Sequence, residues 1–411
     1  MFAVPMLNMR RRAGIRIVLL FWFSFMGLSA LNPFLSLFLK KVLVYANGQP
    51  FDLLIGLFLF SHSFLSLFSS PVAGYVADRF RIENRVLLFC ALFVIAGGIL
   101  IGFPGFHLIK DIGMHVKILL IAIGILFTGL FFNPVYPLIN TETLEYLHAR
   151  RLPASLFGRY RVSGSLSWVV NTALVGMFLW LSNQIAVIML FFCAGFILLA
   201  AVAFSGIKAK ISRVKVPWDH LKRNKPFKRL LIFCFLHSFG HFGTINFTAY
   251  FYDDHHLSFL VIGLAFAISA IPELPVMFYS RRIAEKLGSF RMVIIGASLM
   301  VLKNLLLTLI TPLKLTGLVL TVNLLHGLGF GLWLLGVINL VDAWSHRNMR
   351  AIYMNFFNML GINLPIAIGV LVSSFVIYFF DSTWMILFNM GVSLSAILYF
   401  VACLRTDAKK V

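Results

Sequence analysis

Two histidines, His237 and His241 in CFLHSFGHFG, lie four residues apart in an otherwise apolar run. On a helix that spacing puts both imidazoles on one face. Rings that titrate at about 6.5 suit proton relay or contact with a polar solute. The same spacing can ligate a metal, but the segment offers no third ligand, so no metal site is expected. His62 in FLFSHSF and His326 in LLHGLGFG are single histidines in similar apolar runs. Glu273, between Pro272 and Pro275, and Lys303, in SLMVLKNLLLT, are the ionisable groups set deepest in apolar sequence. Inside hydrocarbon such groups need a partner, a polar cavity or a task. If adjacent antiparallel helices carry them, the two reach similar depths and can pair. A fixed ion pair and a direct part in solute binding or proton coupling both remain open. Asn32, Asn246, Asn355 and Asn358 add amides whose burial demands partners, with Asn355 and Asn358 three residues apart on one face.

The elements that must position these groups follow from composition. Of 411 residues 60% are apolar and 12% charged, with mean hydropathy +0.94. A soluble domain carries roughly a quarter charged residues, so the bilayer is the solvent that matters here. Apolar segments of spanning length recur at about 15–38, 53–77, 86–106, 118–139, 160–181, 185–205, 229–251, 257–279, 292–310, 315–341, 351–378 and 383–403. An all-α integral membrane protein of twelve transmembrane helices is expected. Arg10, Arg11, Arg12 and Arg16 precede a run too long for a signal peptide, and they flank a retained first helix. Cys90, Cys193, Cys234 and Cys403 all sit in apolar runs and read as small hydrophobes.

The net charge of +21 tests this map. With the N-terminus inside, 29 of the 35 Lys and Arg fall in inner segments and five, Lys40, Lys41, Lys110, Lys117 and Lys314, in outer loops. That asymmetry satisfies the positive-inside rule and argues against a nucleic-acid partner. It places both termini in the cytosol; the cell inner membrane is the expected location. The basic stretch 206–228 divides an N-terminal six-helix bundle, 1–205, from a C-terminal one, 229–411, and part of it, around Trp218 and Leu221, suits an interfacial helix. A weak repeat supports two similar halves: GYVADRF at 74–80 and RRIAEKLG at 281–288 align at an offset of 207. Two six-helix bundles around a central path are a transporter architecture.

Asp78 beside Arg79, after Gly74 at the end of the second span, suits a gate latch. Arg159 and Arg161 before Gly164 and Ser165 combine basic helix ends with small residues that permit close approach. GLGFG at 327–331 and GSLS at 164–167 lie in apolar spans with no strand or GKS/T ending, so they are not nucleotide cradles. With no HExxH or GxSxG either, no catalytic residues and no cofactor are expected.

These motifs resemble the major facilitator superfamily, and within it the branch similar to proton-linked nucleoside and oligosaccharide symporters and phenylpropionate permeases. The resemblance rests on NPFLSLFLK at 32–40, SSPVAGYVADRF at 69–80, FFNPVYPLINTETL at 131–144, FGRYRVSGSLSW at 157–168, AIPELPVMF at 270–278 and LLHGLGFGLW at 324–333. It implies the major facilitator fold, a monomer, and H+-coupled transport of a small organic solute by alternating access. By resemblance, Gly74, Asp78 and Arg79 match the gating loop, Glu273 the eighth-helix acid, and His326 with Gly327 the tenth-helix pair. Lys303 stands where the branch usually has arginine. The chain departs from the pattern at Arg81, Ile82 and Glu83, and at Asn140, where the branch often has aspartate. A non-transporting receptor or scaffold on the same bundle is the alternative, and a sealed central path would mark it.

Overall fold

The computed structural model describes residues 3–80, 82–106, 112–150, 157–204, 224–345 and 350–408. The expected interfacial helix around Trp218 and Leu221, most of the 206–228 linker, and the side chain of Asp78 lie outside the described residues.

Among the described residues eleven helices are long and apolar enough to span a membrane: α1 (Gly14–Val42), α2 (Asp52–Ala77), α3 (Asn84–Gly105), α4 (Met114–Leu147), α5 (Arg159–Ser182), α7 (Lys225–Asp254), α8 (Phe259–Phe278), α9 (Ser289–Leu313), α10 (Thr316–Trp344), α11 (Tyr353–Phe379) and α12 (Ser382–Cys403). With the shorter apolar helix α6 (Val187–Ala203) they make the expected twelve. Helices win because each satisfies its own backbone hydrogen bonds where water is scarce. Three spans are interrupted, each beside a proline. In α4 the helix stops at Phe131 and resumes at Val135, across Asn133 and Pro134. In α8 it stops at Ala270 and resumes at Glu273, across Pro272. In α11 a π-helical stretch, Phe357–Asn363, precedes Leu364 and Pro365. Proline has no N–H to give and crowds the preceding turn, so each break follows from sequence.

The chain forms two compact units, Met1–Phe38 with Leu65–Ser212, and Leu39–Phe64 with Arg213–Val411. The second therefore takes in the end of α1 and the first half of α2.

In the first unit small residues set the helix spacing. A Cβ on Gly97 would lie 2.8 Å from the Gly124 carbonyl oxygen, so α3 and α4 touch backbone to backbone there. On α5, Ser163 and Ser167 donate to the Val18 and Trp22 carbonyls of α1 at 3.1 and 2.6 Å, and Gly164 leaves room for Phe25. The expected close approach is present at Gly164. Buried Arg16 fastens one end of the unit: it pairs with Glu142 of α4, donates to Asn84 Oδ1 of α3 at 3.0 Å and to the Val202 carbonyl of α6 at 3.2 Å.

In the second unit α7 packs on α11 and α12. A Cβ on Gly240 would meet the Asn389 carbonyl at 2.2 Å, and one on Gly369 the Phe239 carbonyl at 2.5 Å. The GLGFG glycines work on two faces of α10. Gly327 and Gly331, one turn apart, face α8, with a Gly327 Cβ placed 2.2 Å from the Ser269 carbonyl. Gly329 and Gly336 face α9, with a Gly329 Cβ placed 2.8 Å from the Gly296 carbonyl. Without a hydrophobic force between helices in lipid, such close approach is what holds them. Gly329→Val is expected to push α10 off α9 and to cost about 1–3 kcal/mol, the range for overpacking a tight site. Thermal unfolding in detergent micelles reads this as a lowered midpoint. An unchanged midpoint would show that the contact carries no stability.

Candidate functional site

Two helices of the second unit bring a set of imidazoles together. His237 and His241 stack along α7 with ring centroids 5.8 Å apart and planes 7° from parallel. His241 in turn stacks on His326 of α10 at 5.2 Å and 18°. Aromatic rings close the ends of this column: Phe233 lies on His237 at 5.7 Å and Phe330 on His326 at 5.9 Å. Trp333 approaches His237 at 5.4 Å. Phe330 and Trp333 follow His326 by four and seven residues, which keeps all three on one face of α10. The column is graded in access, with His237 and His241 buried and His326 half-buried.

Lys303 of α9 completes the set. Its side chain is 3% exposed, and its charge acts on both His241 and His326. The ion pair weighed between Glu273 and Lys303 is absent from the salt bridges of the described residues. The reason is topological. Consecutive helices were expected to be neighbours, but α10 presents one glycine face to α8 and another to α9 and so sits between them. Glu273, half-buried, packs its backbone against α10, with its N 3.1 Å from the Cβ position of Gly327.

The column is not a metal cage. An imidazole coordinates through lone pairs in its ring plane, and nearly parallel stacked rings cannot aim those at one point. Among the described residues no group of three or more His, Cys, Asp or Glu could hold an ion. It is instead rich in unmet polar atoms: His237 Nδ1 and Nε2, His241 Nε2, His326 Nδ1 and Trp333 Nε1 are buried with no hydrogen-bond partner. Buried polar atoms normally find partners, so this concentration calls for a functional account.

The other sequence candidates scatter. His62 is buried on α2; Asn246 is half-buried and donates to the Phe242 carbonyl of its own helix at 2.8 Å. Asn32, Asn355 and Asn358 are exposed, the last in the π-helical stretch. Arg79 is exposed and donates to Tyr75 one turn back on its own helix, while the Gly74 Cβ position is open. Arg159 is exposed and Arg161 half-buried, 5.9 Å from the Tyr136 ring. The four cysteines are free thiols.

A second cluster was not anticipated. Lys40 Nζ lies 2.7 Å from Asp253 Oδ2 and 2.5 Å from Asp254 Oδ1, and Lys41 Nζ 2.7 Å from Asp253 Oδ1. Tyr250 donates to Asp52 Oδ1 at 2.5 Å, and Ser382 donates to Asp254. All belong to the second unit, where they tie the end of α1 and the start of α2 to α7 and α12. Next to it, outside the spans, partial burial holds the His255 pKa below its ordinary value, with Asp254 and Asp381 opposing. The adjacent acids Asp253 and Asp254, at the end expected to hold few basic residues, were the signal in the sequence.

Twelve spans, the proline-broken α8 and the GLGFG helix meet in one description: the MFS_1 like family model matches residues 14–389. The chain belongs to that family. It is a membrane transporter of the major facilitator superfamily, not an enzyme. Among curated proteins it is similar to the Bacillus subtilis "Uncharacterized transporter YwbF", at 24% identity over 82% of this chain and 80% of the relative. It is also similar to a maltose permease of Geobacillus stearothermophilus, at 25% identity over 68% and 67%. Among solved structures the nucleoside transporter NupG superposes with a TM-score of 0.77 at 18% identity, over 95% of this chain and 98% of that one. In this transporter the donor-rich column lies on α7, α9 and α10.

Proposed function

We propose that this transporter moves a small organic solute, a sugar, nucleoside or aromatic acid, inward by alternating access, coupled to H+. The observation that carries the reading is the histidine column with Lys303: titratable side chains on three helices, buried together beside broken α8. Ionisable groups that meet across helices within the spans are what a coupled carrier requires. The names of the relatives, a maltose permease and a nucleoside transporter, supply the solute classes. The bias of 29 basic residues to five supports cytosolic termini, and the inner membrane is the proposed location. Gly74, Asp78, Arg79, Arg159 and Arg161 serve this reading as gating residues at the cytosolic end.

The test is uptake into proteoliposomes under an imposed proton gradient. Solute accumulation that follows the gradient, with proton entry on solute addition, is the expected result. Uptake indifferent to the gradient would end the coupling claim, and no uptake of any solute class would favour a receptor on the same fold. Glu273→Gln separates two roles. Retained solute exchange with at least tenfold weaker accumulation is expected if Glu273 carries the coupled proton. Equal loss of both would place it in binding or assembly.

A further inference from the structure

Donors outnumber acceptors around Lys303. An ammonium, three imidazoles and the Trp333 indole N–H converge on the α7–α9–α10 contact, and the described residues supply no carboxylate within ion-pair distance of Lys303. In the second unit's spans the other acids lie at helix ends: Asp52, Asp253 and Asp254 in the Lys40 cluster and Asp342 near the end of α10. Only Glu273 lies deeper, and α10 stands between it and α9. An indole N–H can donate and cannot accept, and an ammonium offers three donors. The cluster is therefore a donor surplus around an uncompensated cation, and burying such a cation is costly without a counter-charge.

We propose that the counter-charge is the solute's own: Lys303, with His241 and half-buried His326, forms a subsite for a carboxylate group of the transported molecule. This rests on the transport reading and narrows its solute class to organic acids. A single carboxylate balances the one ammonium, whereas a phosphate monoester carries about −1.5 to −2 and would overbalance it. His326 is the half-buried member of the set, and His241 and Lys303 are buried. The flat, aromatic-capped column also suits a ring beside the carboxylate, since Phe330 extends it from His326.

The experiment is binding to the purified full-length protein in detergent, with matched acid and neutral probes: benzoate against benzamide, and glucuronate against glucose. At least one carboxylate should bind with its neutral partner at least tenfold weaker. Lys303→Gln should weaken that carboxylate by about ten- to a hundredfold, the worth of one charge-assisted hydrogen bond, and leave neutral probes unchanged. Lys303→Arg should retain binding within a few-fold. If Lys303→Gln does not fold, His326→Gln with Lys303→Arg carries the comparison, with His326→Gln weakening carboxylates selectively. Equal binding of acid and neutral partners, or no carboxylate binding at all, would overturn the proposal. Carboxylate binding untouched by Lys303→Gln, with solute uptake into proteoliposomes intact, would sink the subsite and leave transport standing. Carboxylate binding without uptake in proteoliposomes would do the reverse.

Discussion

Arg16→Ala is expected to lower stability by about 3–5 kcal/mol, the cost of leaving a buried charge without its partner. Arg16 is 7% exposed and holds three helices at once through Glu142, Asn84 and the Val202 carbonyl. Removing it strands the Glu142 carboxylate, whose side chain is 14% exposed. Arg16→Lys should recover only part of the loss, because a lysine cannot present the planar fork that reaches three acceptors. The double variant Arg16→Met with Glu142→Met should be more stable than Arg16→Ala alone, since neither charge is then stranded. Thermal unfolding in detergent reads all three. A midpoint for Arg16→Ala no lower than for Arg281→Ala, which loses only the exposed pair with Glu285, would mean the clasp contributes nothing.

Arg16 also shows where sequence reading stops. Its place before a long apolar run marks it correctly as a flanking charge of the first helix, because run length and charge asymmetry are local quantities. That it is buried on Glu142, 126 residues away, depends on which helices are neighbours. The twelve spans, the broken α8 and the small-residue contacts of α5 were legible for the same local reason: hydrophobic run, proline and glycine act where they stand. His237 and His241 were legible as a pair because four residues fix their relation on one helix. His326 joining them was not, since the α7–α10 contact is tertiary. Whether Glu273 and Lys303 pair stays open in the sequence on that ground too: among the described residues no such salt bridge forms, since α10 packs against both α8 and α9.

The Lys40 cluster yields the second large effect. Asp253 is the shared acceptor, 2.7 Å from both Lys40 and Lys41, and its side chain is only 12% exposed. Asp253→Asn keeps the shape and removes the charge. Lys41, 41% exposed, then returns to solvent at little cost, but Lys40, 12% exposed, keeps one carboxylate, Asp254, beside the Tyr250 carbonyl and ring. Hydrogen bonds to charged groups are worth about 1.5–3 kcal/mol, so the equilibrium for opening this end should rise about ten- to a hundredfold. If alternating access parts α1 and α2 from α7 and α12, the cluster must break in every cycle, and its strength sets how often that end opens. Amide hydrogen exchange reports the opening directly. Residues 43–51, which join Lys40 and Lys41 to Asp52 and carry the Tyr45 N–H to Gln49 and Phe51 N–H to Leu43 bonds, should exchange at least tenfold faster in Asp253→Asn. Exchange around Arg16, in the other unit, should not change. Unaltered exchange at 43–51 would show that the cluster is a surface decoration and that the end of α1 is held by apolar packing alone.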